Sequence, residues 1–119
     1  MKYLCLAYID EKRMAALSEQ EYDALRKEGL AHIGQLREQG HYVAFSALER
    51  VDSARTIRRT ANGNLSITDG PFAETKEQLG GFVLIDAKDI FEATEIASKM
   101  PVGRLGCIEI RLTKDIGDA

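Results

Sequence analysis

The order of segments in this chain predicts an α+β fold: a ferredoxin-like antiparallel sheet with two helices on one face. Three observations carry that expectation. Apolar runs of strand length lie near both ends and in the middle, two capped amphipathic segments separate them, and an Asn62-Gly63 turn sits between the halves. The order is β-α-β, hairpin, β-α-β, which suits a split β-α-β sheet. With 119 residues the chain is a single domain over 1–119, long enough for one core.

Lys2 to Ile9 reads as the first strand, apolar at both parities and so expected to be covered on both faces. Ser18-Glu19-Gln20-Glu21 has the form of a capping box, and a helix follows to Gln39 with Gly40 as its stop. At 3.6 residues per turn Tyr22, Leu25, Gly29, Ile33 and Leu36 make its inner stripe, with His32 at the edge. His41 to Leu48 gives a second strand. Arg55 to Thr68 folds back around Asn62-Gly63. A three-residue loop, Asn62 to Asn64, sets Leu65 opposite Ala61 and Ile67 opposite Arg59, gathering the apolar residues on the face of Ile57. Gly80-Gly81 leads into a strand from Gly81 to Asp86. Asp89 and Glu92 cap a second helix with Ala93, Ile96, Ala97 and Met100 inside and Pro101 at its end. Cys107 to Leu112 closes the sheet. Such a sheet has a second face and no third helix to cover it, so a face-to-face homodimer is expected, a dimeric α+β barrel.

Composition narrows the function. Hydrophobic residues make up 45% and charged residues 29%, as in ordinary globular domains, and the net charge of −3 gives no pull toward nucleic acid or an anionic membrane. The apolar start Met1 to Ile9 meets Asp10-Glu11-Lys12-Arg13 without a cleavage pattern, and no apolar run reaches the roughly 20 residues of a membrane span. A cytoplasmic protein is expected. Cys5 and Cys107 lack metal-ligand spacing and read as buried free thiols. No GxGxxG, GxxxxGK, Cys/His cluster or nucleophilic-serine motif occurs, so neither cofactor nor metal is expected.

The densest chemistry lies in Thr68-Asp69-Gly70-Pro71-Phe72-Ala73-Glu74-Thr75-Lys76. Asp69 at a strand end, before a rigid Gly70-Pro71 turn, is placed to act as a base or to hold a substrate hydroxyl; alternatively it bonds nearby amides and shapes the turn. Phe72 plugs the turn into the core or walls a pocket. Glu74, Thr75 and Lys76 offer a carboxylate, a hydroxyl and a cation to a small polar ligand, or form a solvated loop. His32, with its near-neutral pKa, suits acid–base work beside a carboxylate, or packs at the core margin.

The run Thr68 to Phe82 resembles the signature of the DGPF proteins within the wider YCII-related family, and the similarity extends over most of the chain. The resemblance implies a small α+β domain that pairs into a dimeric barrel. Members resemble one another in carrying a first-helix histidine proposed to pair with an acidic residue. Matching Arg26 and Leu36-Arg37-Glu38-Gln39-Gly40 to that pattern places Gly29 at the histidine position, with His32 one turn away. Some members of the superfamily look like lyases that remove hydrogen halide from chlorinated hydroxyquinols. DGPF relatives often look like accessory proteins of extracytoplasmic-function sigma factors. Two functions therefore stand as expectations. One is binding of a small polar or aromatic molecule near Asp69, with lyase-like acid–base chemistry by Asp69 and His32 and with Gly70, Pro71, Phe72, Glu74, Thr75 and Lys76 as ligand contacts. The other is a non-catalytic accessory module with a sigma-factor-related partner.

Overall fold

In order along the chain, β1 spans Lys2–Asp10, α1 Glu11–Ala15, α2 Glu19–Glu38, β2 Tyr42–Ala47, β3 Arg55–Arg59, β4 Leu65–Asp69, β5 Glu77–Asp86, α3 Ile90–Ser98 and β6 Gly106–Leu112. Single 3₁₀ turns occupy Val51–Ser53 and Pro101–Leu105. These elements come from a computed structural model that describes residues 1–117. Four strands form one antiparallel sheet in the order β2-β5-β1-β6, and β3 and β4 pair with each other in a sheet of their own. This is the ferredoxin-like α+β arrangement, with the hairpin inserted between β2 and β5.

Local sequence explains the two long helices. The Ser18 hydroxyl accepts from the Glu21 amide at 3.1 Å, and the Glu21 carboxylate accepts from the Ser18 amide at 3.0 Å. That bonding to Ser18 holds the Glu21 carboxyl below its ordinary range. Gly40, at φ +80°, stops α2 in the left-handed conformation. Asp89 accepts from the Glu92 amide at 2.9 Å and so starts α3. Tyr3 and Cys5 of β1 meet Ile33 and Leu36 of α2, Ile85 of β5, and Ala93, Ile96, Ala97 and Met100 near α3 in one buried core. All four expected inner residues of α3 are buried. On α2 the stripe is buried only at Ile33 and Leu36, while Tyr22 is half exposed.

Five details differ from the expectations. A short third helix, α1, follows β1 directly because the Asp10 carboxylate accepts from the Lys12 and Arg13 amides at 3.1 and 3.4 Å, a cap formed without a turn signal. β5 begins at Glu77, not Gly81. Gly80-Gly81 lies inside it because β1 and β5 change register between Ala7 and Tyr8, leaving Gly80 as a bulge. A Cβ at Gly80 would run into the Ile9 side chain, so the bulge needs a glycine. The hairpin pairs Ile57 with Ile67 and Arg59 with Leu65, two residues further from the tip along β3 than expected. Its three-residue loop is Ala61 to Gly63. Thr60 accepts from the Gly63 amide at 2.9 Å, and Gly63 takes φ +82° before Asn64 re-enters the ladder. The apolar residues still share one face. Phe72 does not plug the turn: its side chain is 79% exposed, while Pro71 beside it is half-buried. Lastly, Cys5 is buried under the helices but Cys107 is exposed. Both thiols are free, and they point to opposite faces of the sheet.

The register puts Leu4, Leu6 and Tyr8 of β1 and Phe82 and Leu84 of β5 on the face opposite the helices. Among the described residues, no helix lies over that face.

Candidate functional site

Glycine and alanine make the cavity. Between α2, the near ends of β2 and β5, and the turn at Pro101–Leu105 lies a space of about 410 Å³. That is within the range of small-molecule sites. Its floor is Ala7, Gly81 and Val83, and its α2 wall presents Leu25, Gly29, His32 and Ile33. Met100, Pro101 and Val102 close the other side. A Cβ at Gly29 would meet nothing within 4 Å, so this glycine opens space that a side chain could fill. Gly81 is different in kind: a Cβ there would lie 2.9 Å from the Ser46 carbonyl oxygen of β2. Small residues on facing elements thus leave the gap between helix and sheet unfilled.

Two ionisable nitrogen-bearing side chains, His32 and Arg26, meet this largely apolar space, which Tyr22 and Ser46 also border. His32 lines it from the same wall as Gly29, one turn further along α2. Burial holds the imidazole pKa below its ordinary 6.5, and the Lys99 cation adds to the effect. At neutral pH the ring is therefore uncharged and able to accept a proton. Arg26 reaches the rim, where its guanidinium bonds Asp23 at 2.9 Å.

Asp69 and its loop lie elsewhere. The Asp69 side chain is 84% exposed at the root of the hairpin, where an oxygen sits 3.3 Å from Nε of Arg55. Gly70 takes φ +100°, donates to the Ala54 carbonyl at 2.7 Å and accepts from the Thr56 hydroxyl at 2.8 Å, which ties the turn to β3. The Thr75 hydroxyl donates to the Glu77 carbonyl at 2.6 Å, and Gln78 donates to the Ala73 carbonyl at 2.9 Å. Glu74 and Lys76 are exposed. None of the residues from Asp69 to Lys76 borders the cavity. The structure brings His32 together with Gly29, and leaves both apart from the Asp69 turn. Sequence reasoning passed over Ala7, Gly81 and Val102 as site residues. The signal that could have found the cavity was a glycine on the inner stripe of a helix facing glycine and alanine in the strands.

A second polar group lies on the other sheet face. The Cys107 thiol donates to Glu77 at 3.4 Å, and the Tyr8 hydroxyl donates to Glu109 at 3.4 Å. The bond to Glu77 raises the Cys107 pKa, with burial and the charges of Glu77 and Glu109 adding to it, so this thiol is a poor nucleophile. Among the described residues no helix is long and apolar enough to cross a membrane.

Two comparisons agree with this architecture. The model of the YCII-related domain matches residues 1–116. An uncharacterised protein of Rhizobium meliloti (strain 1021) is 38% identical over 97 residues, which cover 82% of this chain and 77% of that protein. A match along almost the whole length and a relative this similar, on a ferredoxin-like sheet, show that the chain belongs to the YCII-related family.

Proposed function

We propose that the protein binds a small polar or aromatic molecule in the cavity between α2 and the sheet, with His32 taking up a proton from it. The observation that carries this reading is an apolar space of about 410 Å³ with an uncharged imidazole in its wall. An apolar site with few polar groups fixes orientation, and a neutral histidine beside it can act as a general base. Proton removal with departure of an anionic leaving group, a lyase-like reaction, is the chemistry this would serve. Asp69, ion-paired with Arg55 outside the cavity, is proposed to hold the hairpin root and not to touch the ligand. The molecule is further proposed to work as a homodimer, closed through the sheet face that carries Leu4, Leu6 and Leu84.

An aromatic anion, 8-anilinonaphthalene-1-sulfonate, serves as the probe. Gly29→Phe, which fills the cavity, is expected to weaken dye binding at least tenfold, and Asp69→Asn to change it less than twofold. Dye binding that survives Gly29→Phe and disappears in folded Asp69→Asn would move the site to the turn. Gly29→Ala should raise stability by about 1 kcal/mol in urea unfolding, because alanine suits a helix interior better and its methyl has room here.

His32 also predicts a pH dependence. The folded state holds its pKa below the unfolded value, so unfolding takes up protons. Stability is then complete above the ordinary value of 6.5 and declines as the pH falls from there through the lowered folded value. Carboxylates such as Asp23 and Asp86, held low by their cationic partners, act further into acid. The urea midpoint of the wild type should therefore fall between pH 7 and 5 by more than that of His32→Gln. Equal slopes in the two proteins would remove the half-buried neutral histidine from the account.

A further inference from the structure

The β3–β4 hairpin is an arm that its own chain leaves bare. The two strands pair with nothing but each other. One face carries Ile57, Ile67 and Leu65, exposed by 64%, 54% and 52%. An isolated two-stranded hairpin is marginally stable in water at best, so a regular arm with an apolar face calls for something to lie against. The arm also stretches the molecule. The radius of gyration is 16.4 Å, against about 13.5 Å for a compact domain of this length.

Charge says what that partner is. Three arginines against one aspartate give residues 55–69 a net charge of +2, and the −3 of the whole chain leaves −5 on the remainder. Arg59 lies on the apolar face of the arm, opposite Leu65. One half of the open sheet face has the complementary pattern, with Glu109 beside apolar Leu6 and Glu77 opposite Asp10 at the strand end, while Arg111, opposite Leu4, lies toward the other end of that face. Neither carboxylate has a cation within ion-pair distance among the described residues. A basic apolar arm and a sheet face whose Glu77–Glu109 half is acidic and apolar, on one chain, fit a second copy of that chain better than they fit an unrelated surface.

We propose that the β3–β4 hairpin is a clasp: it lays Ile57, Leu65 and Ile67 on the half of the open sheet face that carries Glu77 and Glu109 in a second copy, with Arg59 against the two carboxylates. This rests on the homodimer proposed above and adds a second area of contact to it. The dimer then gains specificity as well as area, because the arm's cation meets carboxylates that repel one another when two bodies approach without it.

Mixed dimers test the clasp. One copy is wild type and labelled with ¹⁵N; the other is unlabelled Ser66→Cys with Cys107→Ser, carrying a nitroxide. Ser66 faces away from the apolar side, and Cys5 is buried with its thiol pushed up to about 11, so only the introduced thiol takes the label. Paramagnetic broadening is expected at amides of β6 and the start of β5 in the labelled copy. Separately, Arg59→Glu should raise the dimer dissociation constant at least tenfold by sedimentation equilibrium, and adding Glu77→Arg and Glu109→Arg should recover most of that loss. A dimer without the broadening, and with a dissociation constant unmoved by Arg59→Glu, overturns the clasp and leaves the dimer standing. A wild-type protein that stays monomeric at high concentration overturns the dimer and the clasp together.

Discussion

If the proposed dimer forms through the open sheet face, Leu6→Arg is expected to leave a folded monomer. Leu6 sits in the middle of the open sheet face, paired with Phe82 on one side and Glu109 on the other. Its side chain points away from the core formed by Tyr3, Cys5, Ile85 and the helices. Burying a leucine between two copies contributes about 1.5–3 kcal/mol. An arginine there would add the cost of taking a charge out of water between the copies, several kcal/mol even beside Glu109. Together these correspond to a rise in dissociation constant of about a thousandfold or more, since each 1.4 kcal/mol is tenfold. Sedimentation equilibrium reads the dissociation constant, and circular dichroism checks that the fold persists. An unchanged dimer with Leu6→Arg would mean that the copies meet elsewhere.

Gly106→Ala is expected to cost more stability than any other single methyl added to a glycine of this chain. Gly106 begins β6 opposite Ile9, and a Cβ there would run into the carbonyl oxygen of Tyr8 on β1. The obstacle is backbone in the central part of the sheet, so it cannot rotate out of the way as the tip of a side chain can. Its φ of 178° lies outside the left-handed region, and the clash carries the cost. Overpacking of this kind costs about 3 kcal/mol, a large part of the 5–15 kcal/mol that holds a typical domain together. In thermal unfolding the melting temperature should fall by about 10–20 °C. The contrast with Gly29→Ala, where a methyl enters empty space, makes the pair a test of the packing. A melting temperature unchanged by Gly106→Ala would show that β1 and β6 do not approach as closely as described.

The fold was legible because its signals are local. The capping box at Ser18 and Glu21, the cap at Asp89 and the inner face of α3 each lie within a few residues and act as read, while the Asn62-Gly63 turn makes the expected hairpin in a different register. What the sequence hid depends on contacts between distant segments. The bulge at Gly80 exists because Ile9 on another strand occupies the space, and α1 exists because Asp10, a strand residue, turns its carboxylate onto the next amides. The candidate site was harder still. Asp69 drew attention as a carboxylate at a rigid turn, yet that turn is pinned to its own hairpin by Thr56 and Arg55. The cavity is made of what is missing, side chains absent at Gly29, Gly81 and Ala7, and only the pairing of α2 with β1 and β5 brings those absences together.

The central claim is that a ligand sits between α2 and the sheet. The most direct measurement is a high-resolution crystal structure of the protein soaked with 8-anilinonaphthalene-1-sulfonate. The account predicts ring density over Gly29 and Gly81, with a polar atom of the dye within hydrogen-bond distance of the His32 imidazole. Density at the Asp69–Lys76 turn instead, with the space beside Gly29 filled by the protein's own side chains, would contradict it.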